Sequence, residues 1–305
     1  MEDQNWWDLY YTSRDGLRLY GRHYPSSFPE RTPLLCLAGL TRNSKDFHTL
    51  ATYISAYASL PRDVYTLDYR GRGQSAFDKN WRNYTPLVEA RDVLDFLTLK
   101  QLHRVSVFGT SRGGLIAMLL GALRPTVLGT VILNDIGPRI ERQGLLRIRT
   151  YVGRTPHPND WEEAGKIISD LNGKYFPNID RDTWIEIAHS WYNEKNGLPE
   201  PSYDPNLSYG LSMINLSSPI PEMWPQFRSI TRFPAMVIRG GNSDFLSPET
   251  VGEMQDMHKR LEVHEVEDEG HAPLLRDEIS VKAVDQFLLD TSPMEDRLQI
   301  AHNAA

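Results

Sequence analysis

The sequence predicts an α/β fold in which helices cover both faces of a mostly parallel sheet. Short apolar runs with strand character alternate with amphipathic stretches at helical spacing, which is typical of successive βαβ units. This alternation stops once, between about residues 136 and 232, and then resumes. The chain has 305 residues, 40% of them hydrophobic, which is sufficient for the large buried core that this fold requires.

Charge and cysteine content exclude several classes of protein. The chain carries 33 basic and 40 acidic residues, a formal net charge of -7, which argues against a nucleic-acid partner because phosphate contacts need clustered Lys and Arg. Its single cysteine, Cys36, excludes an intramolecular disulfide and a cysteine-based metal site. The acidic N-terminus does not resemble a signal peptide, and no run of about 18 apolar residues occurs, so we expect a cytoplasmic protein without membrane insertion.

The predicted core begins with a hairpin. Two β-prone runs, 7–12 and 17–24, flank an Asp15-Gly16 pair, which is typical of tight hairpin turns. The elements that follow are strand 33–38, helix 45–59 with Ser44 as its candidate cap, strand 63–67, helix 87–99, strand 104–108, helix 112–123 and strand 130–133. After the interruption come strand 235–238, helix 249–257, strand 261–266 and helix 279–289.

The interrupting stretch predicts a mostly helical insertion over residues 136–232. It is rich in Pro and in aromatic residues, and it contains helical patches at 161–171 and 182–192. It forms either a second small core or a lid over a site, and its aromatic content together with the motifs that flank it favours the lid. The predicted organisation is therefore a core formed by 1–135 and 233–291, the insertion, and a polar C-terminal tail over 292–305.

The most specific local motif is Gly109-Thr110-Ser111-Arg112-Gly113, a G-x-S-x-G pattern between an apolar strand and an apolar helix. A nucleophile elbow requires this strand–turn–helix setting, because its serine must project from a strained turn above the sheet. The two outer glycines are explained if the strand and helix backbones approach closely there. We therefore predict that Ser111 is a nucleophile and not an incidental residue of a glycine-rich turn.

A serine hydroxyl needs a neighbouring base, and His271 is the favoured candidate among nine histidines. It follows strand 261–266 and so lies at the carboxyl edge of the sheet, where parallel sheets build their sites. Asp244 and Asp135 each follow a predicted strand and could orient this base. The order Ser111, Asp244, His271 matches the chain order expected for such a triad, so Asp244 is favoured. Asp135 is the alternative acid, and its other interpretation is that it fixes the start of the insertion.

Together these motifs resemble the α/β-hydrolase fold superfamily, in particular its lid-bearing esterases, lactonases and carbon–carbon bond hydrolases. Ala38-Gly39-Leu40 resembles the oxyanion loop of that family, although many relatives have His where this chain has Ala38. Residues 68–75, Asp-Tyr-Arg-Gly-Arg-Gly-Gln-Ser, resemble its Asp-x-Arg-Gly-x-Gly-x-Ser turn. The likeness spans about residues 17–289 and implies an eight-stranded sheet with a helical lid.

The resemblance also implies roles for several residues. The backbone N–H groups of Leu40 and Arg112 would form the oxyanion hole, and two such donors are often a large contributor to catalysis. Arg70 and Arg72, in the family's turn, are expected to be structural and not an anion site. No metal or organic cofactor is implied, and no H-E-x-x-H string or comparable ligand cluster occurs in the sequence.

We therefore predict a serine hydrolase that cleaves a small carboxylic ester or lactone, a small-molecule substrate, through an acyl-enzyme. One alternative keeps the triad but cleaves a carbon–carbon bond in a vinylogous diketone. Another is a ligand-binding protein on a hydrolase scaffold. A haloalkane dehalogenase or an epoxide hydrolase is disfavoured, because both would have Asp in place of Ser111.

The residues that contact the substrate are marked less clearly. Arg42 and Arg112 flank the predicted site, where they either bind a substrate carboxylate or pair with acidic neighbours. Trp184, Trp191 and Trp224 of the insertion are candidates to line the pocket. The net negative charge would repel an anionic substrate, which favours a neutral ester or lactone.

Overall fold

The first part of the chain alternates strands and helices as the sequence predicts. The computed structural model describes residues 5–294 and residue 296. In chain order the elements are β1 (Trp7–Thr12), β2 (Arg18–Tyr24), β3 (Leu34–Leu37), α1 (His48–Ala56), β4 (Val64–Asp68), α2 (Pro86–Leu99), β5 (Val105–Thr110), α3 (Arg112–Leu123) and β6 (Leu128–Asn134). The predicted N-terminal hairpin is confirmed, since β1 and β2 pair antiparallel.

The remaining elements form the insertion and the second part of the core. Between β6 and the next strand of the sheet lie α4 (Arg142–Tyr151), α5 (Trp161–Asn172), α6 (Arg181–Trp191), β7 (Tyr192–Lys195), β8 (Leu198–Pro201), α7 (Leu207–Ser212) and α8 (Trp224–Ile230). The core then continues with β9 (Ala235–Gly240), α9 (Pro248–Met257), β10 (Leu261–Val266) and α10 (Glu278–Asp290).

Within the described residues, eight strands form one sheet in the order β1-β2-β4-β3-β5-β6-β9-β10. The strands from β4 to β10 in this order pair parallel, whereas β2 pairs antiparallel with both of its neighbours. The mostly parallel eight-stranded sheet is therefore confirmed. Parallel pairing brings the carboxyl ends of β3, β5, β6, β9 and β10 to one edge, which is where such sheets carry their sites.

Helices cover both faces of this sheet because the central strands are apolar on both sides. In β3, Leu35 and Leu37 belong to one buried cluster, with side chains from α2, α3 and α9. Leu34 and Cys36 of the same strand belong to the cluster on the other face, with side chains from α1 and α10. Cys36 is a buried free thiol that packs in this cluster.

The insertion divides its helices between the core and a small cluster of its own. Helices α5 and α6 pack on each other around Ile168, Phe176 and Trp184. Helix α8 packs instead on α3 of the core, where Ile230 fills the space that a Cβ at Gly121 would occupy. The division of the chain at 136 and 232 stays a prediction, but this packing places α8 in the helical layer of the core.

Three local features differ from the sequence prediction or lie beyond it. The 3-10 turn before α1 is capped by Asn43, whose side chain accepts from the N–H of Lys45, and not by Ser44. The β7–β8 hairpin, which directly continues α6, was not predicted. Most of the predicted tail over 292–305 lies outside the described residues. Among the helices of the described part, none is long and apolar enough to cross a bilayer.

Candidate active site

Ser111 occupies a strained turn between β5 and α3. Its backbone has φ 51° and ψ -112°, a region that side-chain-bearing residues rarely adopt. The glycines around it are required by close approach: a Cβ at Gly109 would lie 2.5 Å from the Gly113 backbone, and one at Gly113 would lie 2.0 Å from Leu37 O. The predicted elbow geometry is therefore present, and it holds the Ser111 hydroxyl above the carboxyl edge of the sheet.

The hydroxyl of Ser111 is hydrogen-bonded to His271. The distance from Ser111 Oγ to His271 Nε2 is 2.7 Å, although 160 residues separate the two in the chain. His271 lies in the loop after β10, as predicted, and its ring stacks on Phe245 with 3.8 Å between centroids and 9° between planes. This stacking fixes the plane of the imidazole and keeps Nε2 directed at the serine.

The carboxylate that contacts His271 is Asp135, so the preference for Asp244 in this position is wrong. Asp135 Oδ2 lies 2.8 Å from His271 Nδ1, and the residue is fully buried at the end of β6. A carboxylate only accepts hydrogen bonds, so the imidazole proton is on Nδ1 and the lone pair of Nε2 faces Ser111. The arrangement is a continuous hydrogen-bonded chain from Ser111 through His271 to Asp135.

Two further donors hold the Asp135 carboxylate. The Ser243 hydroxyl donates to Oδ2 at 2.5 Å, and the Gly240 N–H donates to Oδ1 at 2.9 Å. Ser243 Oγ also accepts from the N–H groups of Phe245 and Leu246, which fixes its own orientation. The loop after β9 therefore contributes to the site by positioning Asp135.

Asp244 is occupied by a different partner. Its carboxylate receives two hydrogen bonds from Arg147 of α4, at 2.6 and 2.8 Å. Burial works against its charged form, but the Arg147 guanidinium prevails and holds the pKa of Asp244 below its usual value. Asp244 thus anchors the insertion to the loop whose next residue, Phe245, stacks on His271.

The two predicted oxyanion donors belong to the same region as Ser111. Leu40 lines the same cavity as Ser111, and Arg112 is the first residue of α3, where helical N–H groups lack intrahelical acceptors. Within the described residues, neither the Leu40 N–H nor the Arg112 N–H has a protein acceptor. This pair is therefore available for the oxyanion of a tetrahedral intermediate.

A buried carboxylate links both halves of this donor pair. Glu89 of α2 is fully buried and forms ion pairs with Arg112 at 2.7 Å and with Arg72 at 2.8 Å. Arg72 Nε in turn donates to the carbonyl of Leu40 at 2.9 Å. The expectation that Arg72 is structural is confirmed. The Arg112 side chain, which was considered for a substrate carboxylate, is directed to Glu89 instead.

Arg70, the neighbouring arginine of this turn, is also structural. It is 1% exposed and forms ion pairs with Asp15, Asp78 and Asp92 at 2.6–2.9 Å. These contacts connect the hairpin, the turn after β4 and α2. They leave Arg70 without a surface on which to bind a ligand.

The nucleophile opens into a cavity of about 700 Å³. The walls combine Leu40 and Phe245 of the core with side chains of the insertion, among them Ile148, Tyr151 and Trp191. Arg42 and Trp191 therefore line the cavity, as the sequence predicts.

Trp184 and Trp224 do not line this cavity. Trp184 is 3% exposed and packs between α5 and α6, and Trp224 packs on Phe227 and donates to Glu222. Trp184 is therefore a core residue of the insertion, and Trp224 is partly buried against the main core, so the prediction that they line the pocket is wrong. In the part of the chain that the structure describes, no group of three or more His, Cys, Asp or Glu side chains is arranged to hold a metal ion.

Comparison with known proteins places this chain in a family. Residues 34–283 match the model of the alpha/beta hydrolase family. The chain belongs to the alpha/beta hydrolase family. A crystal structure of an alpha/beta hydrolase from Novosphingobium aromaticivorans is 33% identical, with a TM-score of 0.84 over 93% of this chain and 98% of that one.

Curated relatives of this hydrolase include one named as an oligomer hydrolase and one named as an esterase. A 3-hydroxybutyrate-oligomer hydrolase from Cupriavidus necator is 29% identical over 83% of this chain and 87% of its own length. An esterase from Mycobacterium tuberculosis is 22% identical over 72% of each chain. The protein is therefore a hydrolytic enzyme.

Several site residues of this hydrolase were not found from its sequence. Ser243 is the clearest, because it lies beside Asp244 in a loop that was already singled out, but which neighbour faces Asp135 depends on the turn. Glu89 and Arg147 lie on helices, and nothing in the spacing of those helices shows which buried partner each one meets.

Proposed function

We propose that this hydrolase cleaves a small carboxylic ester through an acyl-enzyme on Ser111. The observation that carries the proposal is the hydrogen-bonded chain Ser111–His271–Asp135, at 2.7 and 2.8 Å, beside two unused backbone N–H groups. This constellation provides a nucleophile, a base, a group that orients the base and donors for the oxyanion.

In the first step Ser111 Oγ attacks the ester carbonyl while His271 Nε2 takes the hydroxyl proton. Asp135 accepts from Nδ1 throughout and stabilises the imidazolium that forms. The carbonyl oxygen, now negatively charged, is held by the N–H groups of Leu40 and Arg112, each worth about 3 kcal/mol in comparable sites. His271 then protonates the leaving alcohol, and an acyl ester of Ser111 remains.

The second step regenerates the enzyme by the same groups. His271 removes a proton from water, which attacks the acyl carbonyl through a second tetrahedral intermediate. Collapse of this intermediate returns the proton to Ser111 and releases the acid. The buried side chains around Asp135 need not move, because the charge changes only at His271 and at the oxyanion.

The insertion acts as a lid in this proposal. Helices α4 and α6 contribute Ile148, Tyr151 and Trp191 to the cavity that Ser111 faces. A volume of about 700 Å³ is in the range of small-molecule sites. The Arg147–Asp244 ion pair then fastens the lid to the loop that positions the acid.

The relative named for 3-hydroxybutyrate oligomers makes short linear esters of hydroxy acids the first substrates to assay. We expect hydrolysis of short aryl esters and of dimers of hydroxy acids. The kcat of Ser111→Ala should be at least a thousandfold lower than that of wild type. Faster turnover of a vinylogous diketone than of any ester would favour the carbon–carbon alternative. Ligand binding without turnover, with Ser111→Ala equal to wild type, would favour the ligand-binding alternative.

A further inference from the structure

We propose that Arg42 forms a carboxylate subsite in the cavity, so that the ester cleaved at Ser111 carries a free carboxylate. The inference rests on the proposed ester hydrolysis and names its substrate class: esters of hydroxy acids, or half-esters of dicarboxylic acids. It reverses the expectation of a neutral substrate that the net charge of the chain favours.

Arg42 is placed next to the nucleophile. It follows Leu40 in the loop after β3 and lines the cavity that Ser111 faces. A Cβ built on Gly39 would lie 3.4 Å from Arg42 Cγ and 3.9 Å from Ser111 Cβ, so both side chains border the same point. A substrate with its carbonyl at Ser111 can therefore present a carboxylate to the guanidinium within the same cavity.

Most donors of this guanidinium are unused. An arginine has five N–H donors, and here Nη1 alone has a partner, Asp46, at 3.3 and 3.5 Å. These distances exceed the 2.7–2.9 Å or so of a strong charge-assisted hydrogen bond. Among the described residues no acceptor meets Nε or Nη2. The guanidinium lies on the ring of Trp191, which fixes its plane and leaves its edge for a bidentate ligand.

The Arg42 charge is also poorly compensated. The side chain is 18% exposed, and burial lowers the pKa of Arg42 to about 10, although Asp46 and Tyr151 act in the opposite direction. Burial also disfavours the charged form of Asp46, whose pKa it raises. The two opposite charges therefore compensate each other only partly. An anionic ligand would complete the pairing of a cation that the cavity has removed from water.

The neighbouring cations have other partners. Lys45 donates through Nζ to the carbonyls of His189 and Tyr192 at the end of α6, and Arg276 pairs with Glu186. Tyr151, in contrast, adds a polar group to the same subsite. Its hydroxyl has no hydrogen-bond partner among the described residues, and the side chain lines the cavity within electrostatic range of Arg42. Tyr151 is therefore available as a second donor to a carboxylate.

The test compares acids with neutral amides of the same shape. One pair is the 3-hydroxybutyrate dimer and its terminal primary amide, and the other is the mono-aryl ester of glutaric acid and its terminal amide. Wild type is expected to prefer the acid at least tenfold in kcat/KM in at least one pair. Arg42→Gln should lower kcat/KM for that acid by about 10- to 100-fold, the effect of one hydrogen-bonded charge, and change the amide less than about threefold. Arg42→Lys should restore part of the preference.

Arg14→Gln serves as the control, since it removes one positive charge at an exposed ion pair with Asp95, outside the cavity lining. It should retain the wild-type preference, and a loss there would show that the long-range field, not contact, selects the acid. The inference is overturned if wild type shows no preference in either pair, or if Arg42→Gln lowers acid and amide equally. Absence of ester turnover by wild type would instead refute the proposed function.

Discussion

The choice between two aspartates gives the sharpest test of the site. In Asp135→Asn, one carboxylate oxygen becomes an NH2 group in a fully buried position where three donors converge, from His271, Ser243 and Gly240. If the amide nitrogen replaces Oδ1, it opposes the Gly240 N–H. If it replaces Oδ2, it opposes the proton on His271 Nδ1.

The second orientation can be relieved, but only by changing the tautomer of His271. Its Nδ1 then accepts from the amide, and the ring proton moves to Nε2. This proton points at Ser111 Oγ, so His271 can no longer act as a base. The equivalent change in the well-studied serine protease triad lowers kcat about ten-thousandfold. We expect a similar loss here, about 5 kcal/mol at 1.36 kcal/mol for each factor of ten. Some loss of stability accompanies it, because Ser243 Oγ already accepts from two N–H groups and its own proton loses the carboxylate as its acceptor.

Asp244→Asn is the matched control. It weakens a mostly buried ion pair with Arg147 and should therefore lower stability. Asp244 makes no hydrogen bond to His271, so kcat/KM for a short aryl ester should fall less than about tenfold. Both variants are measured by steady-state kinetics and by thermal unfolding. A folded Asp135→Asn protein that keeps more than a tenth of wild-type activity, with Asp244→Asn inactive, would refute the conclusion that Asp135 orients His271.

Three other variants test separate parts of the structure. Glu89→Gln leaves the buried Arg72 and the partly buried Arg112 poorly paired. We expect a loss of about 3 kcal/mol in the free energy of unfolding and a lower kcat with little change in KM, measured by chemical unfolding and kinetics. Gly113→Ala puts a methyl group 2.0 Å from Leu37 O, and should lower stability by about 1–3 kcal/mol in thermal melts and impair kcat. The hydrogen bond from Arg70 is the main cause that lowers the pKa of Asp15 to about 2. The ionised carboxylate therefore stabilises the folded protein above its usual pKa, and this contribution is lost as pH falls toward 2. Because Asp15 is 44% exposed, Asp15→Asn should flatten the pH dependence of unfolding between about pH 4 and 2 by about 1 kcal/mol or less.

Each of these expectations has a contrary result. Unchanged kcat and stability in Glu89→Gln would show that the oxyanion donors do not depend on that carboxylate. A Gly113→Ala protein as stable and active as wild type would contradict the tight elbow. An Asp15→Asn protein with the wild-type acid transition would show that its ion pair with Arg70 is not maintained in solution.

The fold was predictable because its signals are local and repeated. The apolar runs of β3, β5 and β6 and the helical spacing of α2 and α3 each specify an element without reference to the rest of the chain. The insertion was less predictable. Its hairpin, β7–β8, is short and polar, and the sequence does not distinguish helices that cover a cavity from α8, which packs on the core.

The site was predictable where the backbone carries the information. Ser111 and His271 each follow a strand that ends at one edge, and parallel pairing brings those ends together. The acid could not be chosen in the same way, because β6 and β9 are neighbours and both end beside His271. In the structure Asp135 contacts His271, and Asp244 forms an ion pair with Arg147, which comes from a different part of the chain. Strand order does not distinguish the two aspartates, so the acid can be identified only from the packing of side chains.

The most direct test of the central claim is the covalent chemistry of Ser111. The purified protein is treated with a fluorophosphonate, and the mass of the intact protein and of its peptides is measured beside Ser111→Ala and Asp244→Asn. Our account predicts one adduct per chain, on the peptide that contains Ser111, in wild type and in Asp244→Asn but not in Ser111→Ala. Ester hydrolysis without any adduct, or an adduct that persists on Ser111→Ala, would contradict it.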